Sequence, residues 1–169
     1  MDNRQIIDNL ARNRSVFDAL LSKTNSESAC WKASPDQWSL LEVVCHLYDE
    51  EREDFRARVK HCLENPELPF LSIDPVGWVT TRKYLAQDFN EKLLSFLKER
   101  NDSIEWLRSL ENPNWENIHE NPKLGVMSAN KFLSNWLAHD HIHIRQINRI
   151  KYEFLDSKSK DSLKYAGDW

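Results

Sequence analysis

Four stretches of the chain carry apolar residues at intervals of three and four positions. In the first stretch, from about Asn3 to Ser22, these positions include Ile6, Leu10 and Phe17. Such spacing places an apolar stripe along one side of a helix, whereas a half-buried strand would alternate apolar and polar residues. No such alternation lies between the four stretches. The pattern therefore predicts an all-α protein.

The remaining helices have recognisable ends. Ser39 and Glu42 form a capping-box pattern, so the second helix begins there and is expected to run to about Glu64, before a proline. The third helix is predicted from about residue 87 to 109, and the fourth follows Ser128, a residue type suited to helix N-capping. Four amphipathic helices bury their apolar stripes together, which predicts a four-helix bundle.

The connection between the second and third helices is long. Residues Asn65–Tyr84 contain three prolines and one glycine, which disfavour a long regular element. A short hairpin would not need about twenty residues. We therefore expect a long crossover connection that links parallel helices or crosses the end of the bundle, and that is a candidate lid.

Composition agrees with one helical domain over residues 1–169. The chain is 40% hydrophobic and 30% charged, and its three glycines and six prolines are too few for a loop-rich β protein or a disordered linker. The charged tail after Tyr152 ends in Leu163, Tyr165 and Trp169. We expect those three side chains to dock against the bundle.

Charge and cysteine content narrow the function classes. The net charge is −4 (23 basic and 27 acidic residues) without a Lys/Arg cluster, which argues against nucleic-acid binding. No signal peptide or run of about 18 apolar residues is present, so we expect a soluble, cytoplasmic protein without a membrane partner. Cys30, Cys45 and Cys62 form no CxxC pair and are expected to be reduced thiols. Cys45 is interpreted as a buried hydrophobe.

Candidate chemistry lies on the apolar stripe of the fourth helix. His139 and His143 replace apolar residues there, and their i, i+4 spacing lets both imidazoles reach one metal ion. A catalytic site needs a third ligand and an open position, and His46, in the middle of the second helix, is the best candidate. His141 must point elsewhere. The alternative is that these histidines are hydrogen-bonded core residues without a metal.

Other residues near this stripe allow more than one interpretation of their role. Glu50, one turn after His46, is a candidate to orient a ligand or to move a proton. Arg100 lies on the apolar stripe of the third helix, where it binds either a substrate anion or a carboxylate of a neighbouring helix. Trp78, in the long connection, is a candidate substrate contact. For Asp49 and Asp140 a solvated position is expected.

Two further histidines, His61 and His119, have no partner at metal-ligand spacing. We therefore interpret both as non-ligands.

The chain resembles the DinB-like (DinB/YfiT) metalloenzyme family. The residues that carry the resemblance are His46-Leu47-Tyr48-Asp49-Glu50, then Gly125, then His139-Asp140-His141-Ile142-His143-Ile144-Arg145-Gln146-Ile147. The resemblance spans about residues 38–149. It implies a bundle with a long crossover, a zinc or nickel ion held by His46, His139 and His143, and a homodimer.

The resemblance also implies chemistry with a low-molecular-weight thiol such as bacillithiol, mycothiol or glutathione. The first hypothesis is accordingly an S-transferase whose divalent metal lowers the pKa of the thiol and delivers a thiolate to an electrophile. A hydrolase with a metal-activated water is the rival enzyme. A non-catalytic stress-related protein that binds metal or a partner is the competing class.

Overall fold

The structure is a computed structural model and describes residues 1–121 and 125–167. A π-helical turn over Glu51–Phe55 joins two of the helices into one continuous rod. The helices are α1 (Asn3–Leu21), α2 (Ser26–Cys30), α3 (Leu40–Glu50), α4 (Arg56–Glu64), α5 (Trp78–Thr81), α6 (Phe89–Ser109) and α7 (Ala129–Lys158); the strands are β1 (Ile118–Asn121) and β2 (Gly125–Ser128).

Side-chain caps fix where the long helices begin. Asp2, Ser39, Asp88 and Ser128 each accept a hydrogen bond from a backbone N–H in the first turn of α1, α3, α6 and α7. These bonds satisfy donors that a helix leaves unpaired at its N-terminus. The capping box expected at Ser39 is present, because Glu42 also accepts from the Ser39 backbone. The local sequence therefore sets these starts.

Four rods form the bundle: α1, α3–α4, α6 and α7. The α3–α4 rod and α6 run parallel, since Lys92 lies over the Tyr48 ring and, further along both, Arg56 binds Glu99. The chain must therefore return to the same end of the bundle between α4 and α6. This confirms the four-helix bundle with a long crossover between parallel neighbours.

The other two rods, α1 and α7, also run parallel. Asn13 contacts Asp140, and Lys151, later in α7, donates to the backbone oxygen of Leu20, later in α1. Contacts between α1 and α6 run in the opposite sense. The bundle thus consists of two parallel pairs that are antiparallel to each other.

The crossover is more ordered than the sequence suggested. Its prolines do prevent a long helix, but residues Trp78–Thr81 form the short helix α5, and a 3₁₀ turn follows at Tyr84–Ala86. Trp78 and Tyr84 are buried in the core against α3. The tyrosine hydroxyl donates to Asp49. Burial of two large aromatic rings fixes the path of this segment.

Two features at the ends of the bundle were not expected from the sequence. Strands β1 and β2 pair antiparallel before α7, although the sequence shows no alternating pattern there. In the tail, Tyr165 is fully exposed and Leu163 is only half-buried, so the tyrosine does not dock. Trp169 lies outside the described residues. The pairing of two short strands and the packing of the tail both depend on tertiary neighbours, which the local sequence pattern does not encode.

Two apolar clusters fill the interior, and polar side chains lie between them. Arg100 lies close to Phe17 and Phe96 of one cluster and to Trp136 of the other. His46, His139 and His143, the candidate metal ligands, lie in the same interior. No helix in the described part of the chain is long and apolar enough to cross a membrane.

Candidate metal centre

Three histidines meet on the inner faces of two antiparallel rods. α3 supplies His46, and α7 supplies His139 and His143 from successive turns. The i, i+4 spacing places the two α7 rings 4.3 Å apart between centroids. His46 approaches from the facing helix, with its ring centroid 4.9 Å from that of His143. The geometry expected from sequence for these three side chains is present.

The ε nitrogens of the three rings face one another. The Nε2 atom of His139 lies 3.3 Å from Nε2 of His46 and 3.0 Å from Nε2 of His143. One ligand atom from each ring lies within 4.8 Å of the others, which is the spacing of atoms that could share one metal ion. Within the described residues, this is the one group of three or more such side chains.

The proton on His143 is located by its partner. Its Nδ1 atom lies 2.7 Å from Oε1 of Gln146. An amide oxygen only accepts, so Nδ1 donates and Nε2 is left with a lone pair that points at the other two rings. Partners of this kind orient metal-ligating histidines in known sites.

Burial keeps the imidazoles neutral. Desolvation, reinforced by the neighbouring His143, lowers the pKa of His46 to about 3. Desolvation, with His143 and His46 nearby, lowers the pKa of His139 to about 2, and desolvation also lowers the pKa of His143. Neutral imidazole is the form that binds a metal ion.

One nitrogen of the cluster is left without a partner. Nδ1 of His46 is the one buried side-chain nitrogen or oxygen in the described chain that makes no hydrogen bond. The ring is held by packing instead, since Trp38 meets it edge-on with centroids 4.9 Å apart.

The three Nε2 atoms that face one another cannot all be satisfied by hydrogen bonds among themselves, because each pair shares only one proton. This donor set fits a divalent cation, which would accept all three lone pairs.

Glu50 lies beside the cluster, as the sequence suggested. Its Oε2 atom is 4.0 Å from Nε2 of His139, and the side chain is buried. Burial, together with the negative charges of Asp54 and Asp49, raises the pKa of Glu50 to about 8. A carboxyl group that titrates near neutral pH can give and take a proton there.

Two adjacent glutamates are buried where the π-helical turn begins. Residues 50 and 51 point in directions about 100° apart, so they face different neighbours. Glu50 lies beside His139, and Glu51, the first residue of the π turn, binds Arg100. Such π insertions occur frequently at functional sites.

Arg100 forms a buried ion-pair network below the histidines. Its guanidinium donates to both oxygens of Glu51, both oxygens of Asp140 and the backbone oxygen of Leu10. Trp136 donates to Glu51, and Asn13 donates to Asp140. All five N–H groups of the guanidinium are therefore used, which fits the salt-bridge reading of Arg100 rather than a substrate contact.

The expectation that Asp49 and Asp140 are solvated was wrong. Asp140 is fully buried in the Arg100 network, and Asp49 is buried between Tyr84 and Arg82. Both carboxylates are paired with an arginine, which is the condition under which a buried charge is tolerated. Sequence alone did not identify these partners, because they lie on other elements.

A cavity of about 340 Å³ opens next to His143. It lies between residues 36–38 and the outer part of α7, and the lining includes Trp38 and Gln146. The long crossover does not contribute to it, so this cavity has no lid from that segment. Trp78 of the crossover is buried in the core. The Arg82 guanidinium lies over its indole ring, 4.1 Å from the ring centroid. Trp38 is the tryptophan at the site, and sequence reasoning missed it.

The remaining candidates lie apart from the cluster. Cys45 is buried, and desolvation raises the pKa of its thiol to about 12, as expected for a buried hydrophobe. His141 is exposed on α7. His61 and His119 contact each other at 5.3 Å between centroids and bond to backbone oxygens of residues 68 and 66. Their contact was not anticipated, but neither belongs to the three-histidine group.

Comparisons with known proteins agree with this architecture. Residues 9–147 match the family described as the DinB superfamily. Among solved structures, the chain is similar to YfiT from Bacillus subtilis, which is described as a probable metal-dependent hydrolase with an unusual four-helix bundle topology. The TM-score is 0.79 at 16% identity, over 90% of this chain and 87% of that one, which shows a shared fold. No curated protein matches the chain.

Proposed function

The chain belongs to the DinB superfamily, and from that premise we propose that it is a metal-dependent enzyme whose divalent ion, zinc or nickel, is bound by His46, His139 and His143. The observation that carries the proposal is the convergence of three neutral ε nitrogens beside an open cavity. Three protein ligands and one open position are typical of catalytic metal sites, whereas structural sites are closed.

The proposed reaction is an S-transfer from a low-molecular-weight thiol to an electrophile. A bound divalent ion supplies the electrostatic stabilisation that makes a thiolate available at neutral pH. Glu50 accepts the thiol proton, since its carboxylate lies next to His139. Gln146 keeps His143 in the tautomer that exposes Nε2.

Hydrolysis is the second candidate. The same Glu50 would take a proton from water, and the cavity beside His143 would admit an ester or amide. The resemblance to a fold described for a probable metal-dependent hydrolase adds to this alternative. The two reactions differ in the nucleophile and in the group it attacks, so an assay must compare them directly.

The first test concerns the metal. Protein purified without a histidine tag should contain about one divalent ion per chain by mass spectrometry, and His143→Ala should lose it. His141→Ala is the matched control, because His141 lies on the same helix but is exposed outside the cluster. Equal metal content in His143→Ala and wild type would contradict the proposed ligand set.

The second test concerns the reaction. Metal-loaded wild type and His143→Ala are assayed with glutathione, bacillithiol and mycothiol against epoxides and activated aromatics, and with an ester and amide panel. Thiol-dependent turnover in the wild type alone supports S-transfer. Turnover only with esters or amides supports the hydrolase. A metal-loaded protein without either activity favours the non-catalytic metal-binding protein.

Three further statements belong to the same proposal: one domain over residues 1–169, a homodimer, and a cytoplasmic location. The dimer is tested by light scattering of the purified protein at micromolar concentration. A monomer mass would contradict it without affecting the metal proposal, because all three histidines come from one chain.

A further inference from the structure

The cavity beside His143 offers hydrogen-bond donors that the protein does not use. Gln146 accepts from His143 through its amide oxygen, and its amide nitrogen has no partner among the described residues. Arg149, which also lines the cavity, donates through Nε to Glu153, while its two terminal nitrogens have no partner in the described part of the chain. Six N–H groups, two on the Gln146 amide and four on the terminal nitrogens of Arg149, are therefore available to a ligand next to the candidate metal centre.

Arg149 forms an ion pair within its own helix. Glu153 follows it by four residues, and the Nε to Oε1 distance is 2.7 Å. This contact leaves the two terminal nitrogens of the guanidinium free to donate to a ligand. Arginine in this arrangement matches the two oxygens of a carboxylate. The situation is opposite to that of Arg100, whose five N–H groups are all engaged inside the bundle.

Apolar side chains line part of the cavity. Trp38 and Ile150 both contribute, and the Trp38 ring also packs against His46. Asp36, on the segment across from α7, and Glu153, the partner of Arg149, add two carboxylates. A ligand with a single negative charge and an apolar body therefore fits better than a dianion, since a second charge would meet Asp36 or Glu153.

We propose that this cavity binds a small monocarboxylate, with the carboxylate on Arg149 and the amide nitrogen of Gln146, and with the apolar body against Trp38. The inference deepens the proposed function and rests on it, because the cavity opens on His143. Arg149 is then the residue that selects the electrophilic substrate by its carboxylate. Gln146 both orients His143 and contacts the ligand.

Isothermal titration of the zinc-loaded full-length protein tests the charge requirement. The probes are 3-phenylpropionate and 3-phenylpropionamide, which share an apolar body and differ in the anionic group. We expect the carboxylate to bind at least about tenfold more tightly than the amide, as expected for charge-assisted hydrogen bonds. Phenylsuccinate, a dianion, should bind more weakly than 3-phenylpropionate.

Two variants and one control assign the preference to residues. Arg149→Gln should abolish the preference for the carboxylate and leave binding of the amide unchanged. Gln146→Glu keeps an oxygen for His143 but replaces the free donor with a charge, so it should weaken binding of the carboxylate further. Arg145→Gln is the matched control, because Arg145 is exposed one turn earlier and does not line this cavity. It should behave as wild type.

The titration is repeated on metal-free protein to separate this inference from the proposed function. A preference that survives zinc removal and requires Arg149 supports the inference, even if no catalytic activity is found. A preference that disappears with zinc and is unaffected by Arg149→Gln means that the carboxylate binds the metal, and it overturns the inference. Equal binding of both probes to the wild type overturns it as well.

Discussion

Two buried polar clusters lie next to each other in the bundle, and they differ in how completely they are bonded. In the Arg100 network every guanidinium N–H has an acceptor, and both carboxylates receive further donors. In the histidine cluster three ε nitrogens face one another, and Nδ1 of His46 has no partner. Both clusters are taken out of water, but only the first satisfies its polar atoms.

The difference separates a structural cluster from a functional one. A buried polar network that is fully satisfied links its helices, and here Arg100 of α6 joins the π turn, α1 and α7. A buried cluster with unsatisfied lone pairs costs folding free energy unless something else binds it. Asp140 and His139 are adjacent in sequence, yet they belong to different clusters because successive helical residues point in different directions.

The largest effect is expected from breaking the satisfied cluster. Arg100→Ala leaves Glu51 and Asp140 buried without a counter-charge, so the free energy of unfolding should fall by about 3–5 kcal/mol. Urea denaturation of metal-free protein measures it. A loss below about 1 kcal/mol would mean that the network does not hold the helices together. Should the variant fail to fold, Arg100→Lys should show a smaller loss, because it keeps the charge but not the paired geometry.

A smaller effect is expected when the support of the histidine cluster is removed. Gln146→Ala takes away the acceptor for His143 Nδ1, so zinc affinity should fall about 10- to 100-fold, as is typical for such partners. Competition with a chromophoric chelator measures this affinity. The unfolding free energy of the metal-free variant should stay close to wild type, because Gln146 is half-buried. Unchanged zinc affinity would remove Gln146 from the site.

The protonation of Glu50 gives the third prediction. Its pKa is about 8 in the folded state and about 4.5 when unfolded, so the folded protein binds more protons between these values. The metal-free protein should therefore lose stability through this group as pH rises from 5 to 8. Glu50→Gln removes that loss, and its gain over wild type should grow by at least about 1 kcal/mol between pH 5 and pH 8, the equivalent of roughly one pKa unit. A gain that is the same at pH 5 and pH 8 would contradict the raised pKa.

The smallest effect concerns an ion pair at the surface, which serves as a matched contrast to Arg100. Arg108 binds Asp8 at 2.8 Å, and both side chains are about half exposed. Water and salt screen such a pair, so Arg108→Ala should change the free energy of unfolding by less than about 1 kcal/mol. Thermal unfolding of this variant beside Arg100→Ala separates the effect of burial from that of charge pairing. A loss as large as that of Arg100→Ala would show that burial is not the deciding factor.

Much of the bundle and part of the site could be predicted from sequence. The start of α3 follows from Ser39 and Glu42, and the shared face of His139 and His143 follows from their spacing, because both depend on residues within one helical turn. His46 was selected because it lies in the middle of a helix and because the family resemblance implies it. Trp38, Arg149 and the pairing of Asp140 gave no local signal.

The sequence by itself determined where the helices lie and which residues share a face, since periodicity and capping are local properties of the chain. Only the tertiary structure decided which polar residues are buried together. Glu50 and Glu51 are neighbours in sequence, yet one lies beside His139 and the other binds Arg100. The reason is physical: the free energy of burying a charge depends on partners that other helices supply, and those partners exist only after the helices have packed.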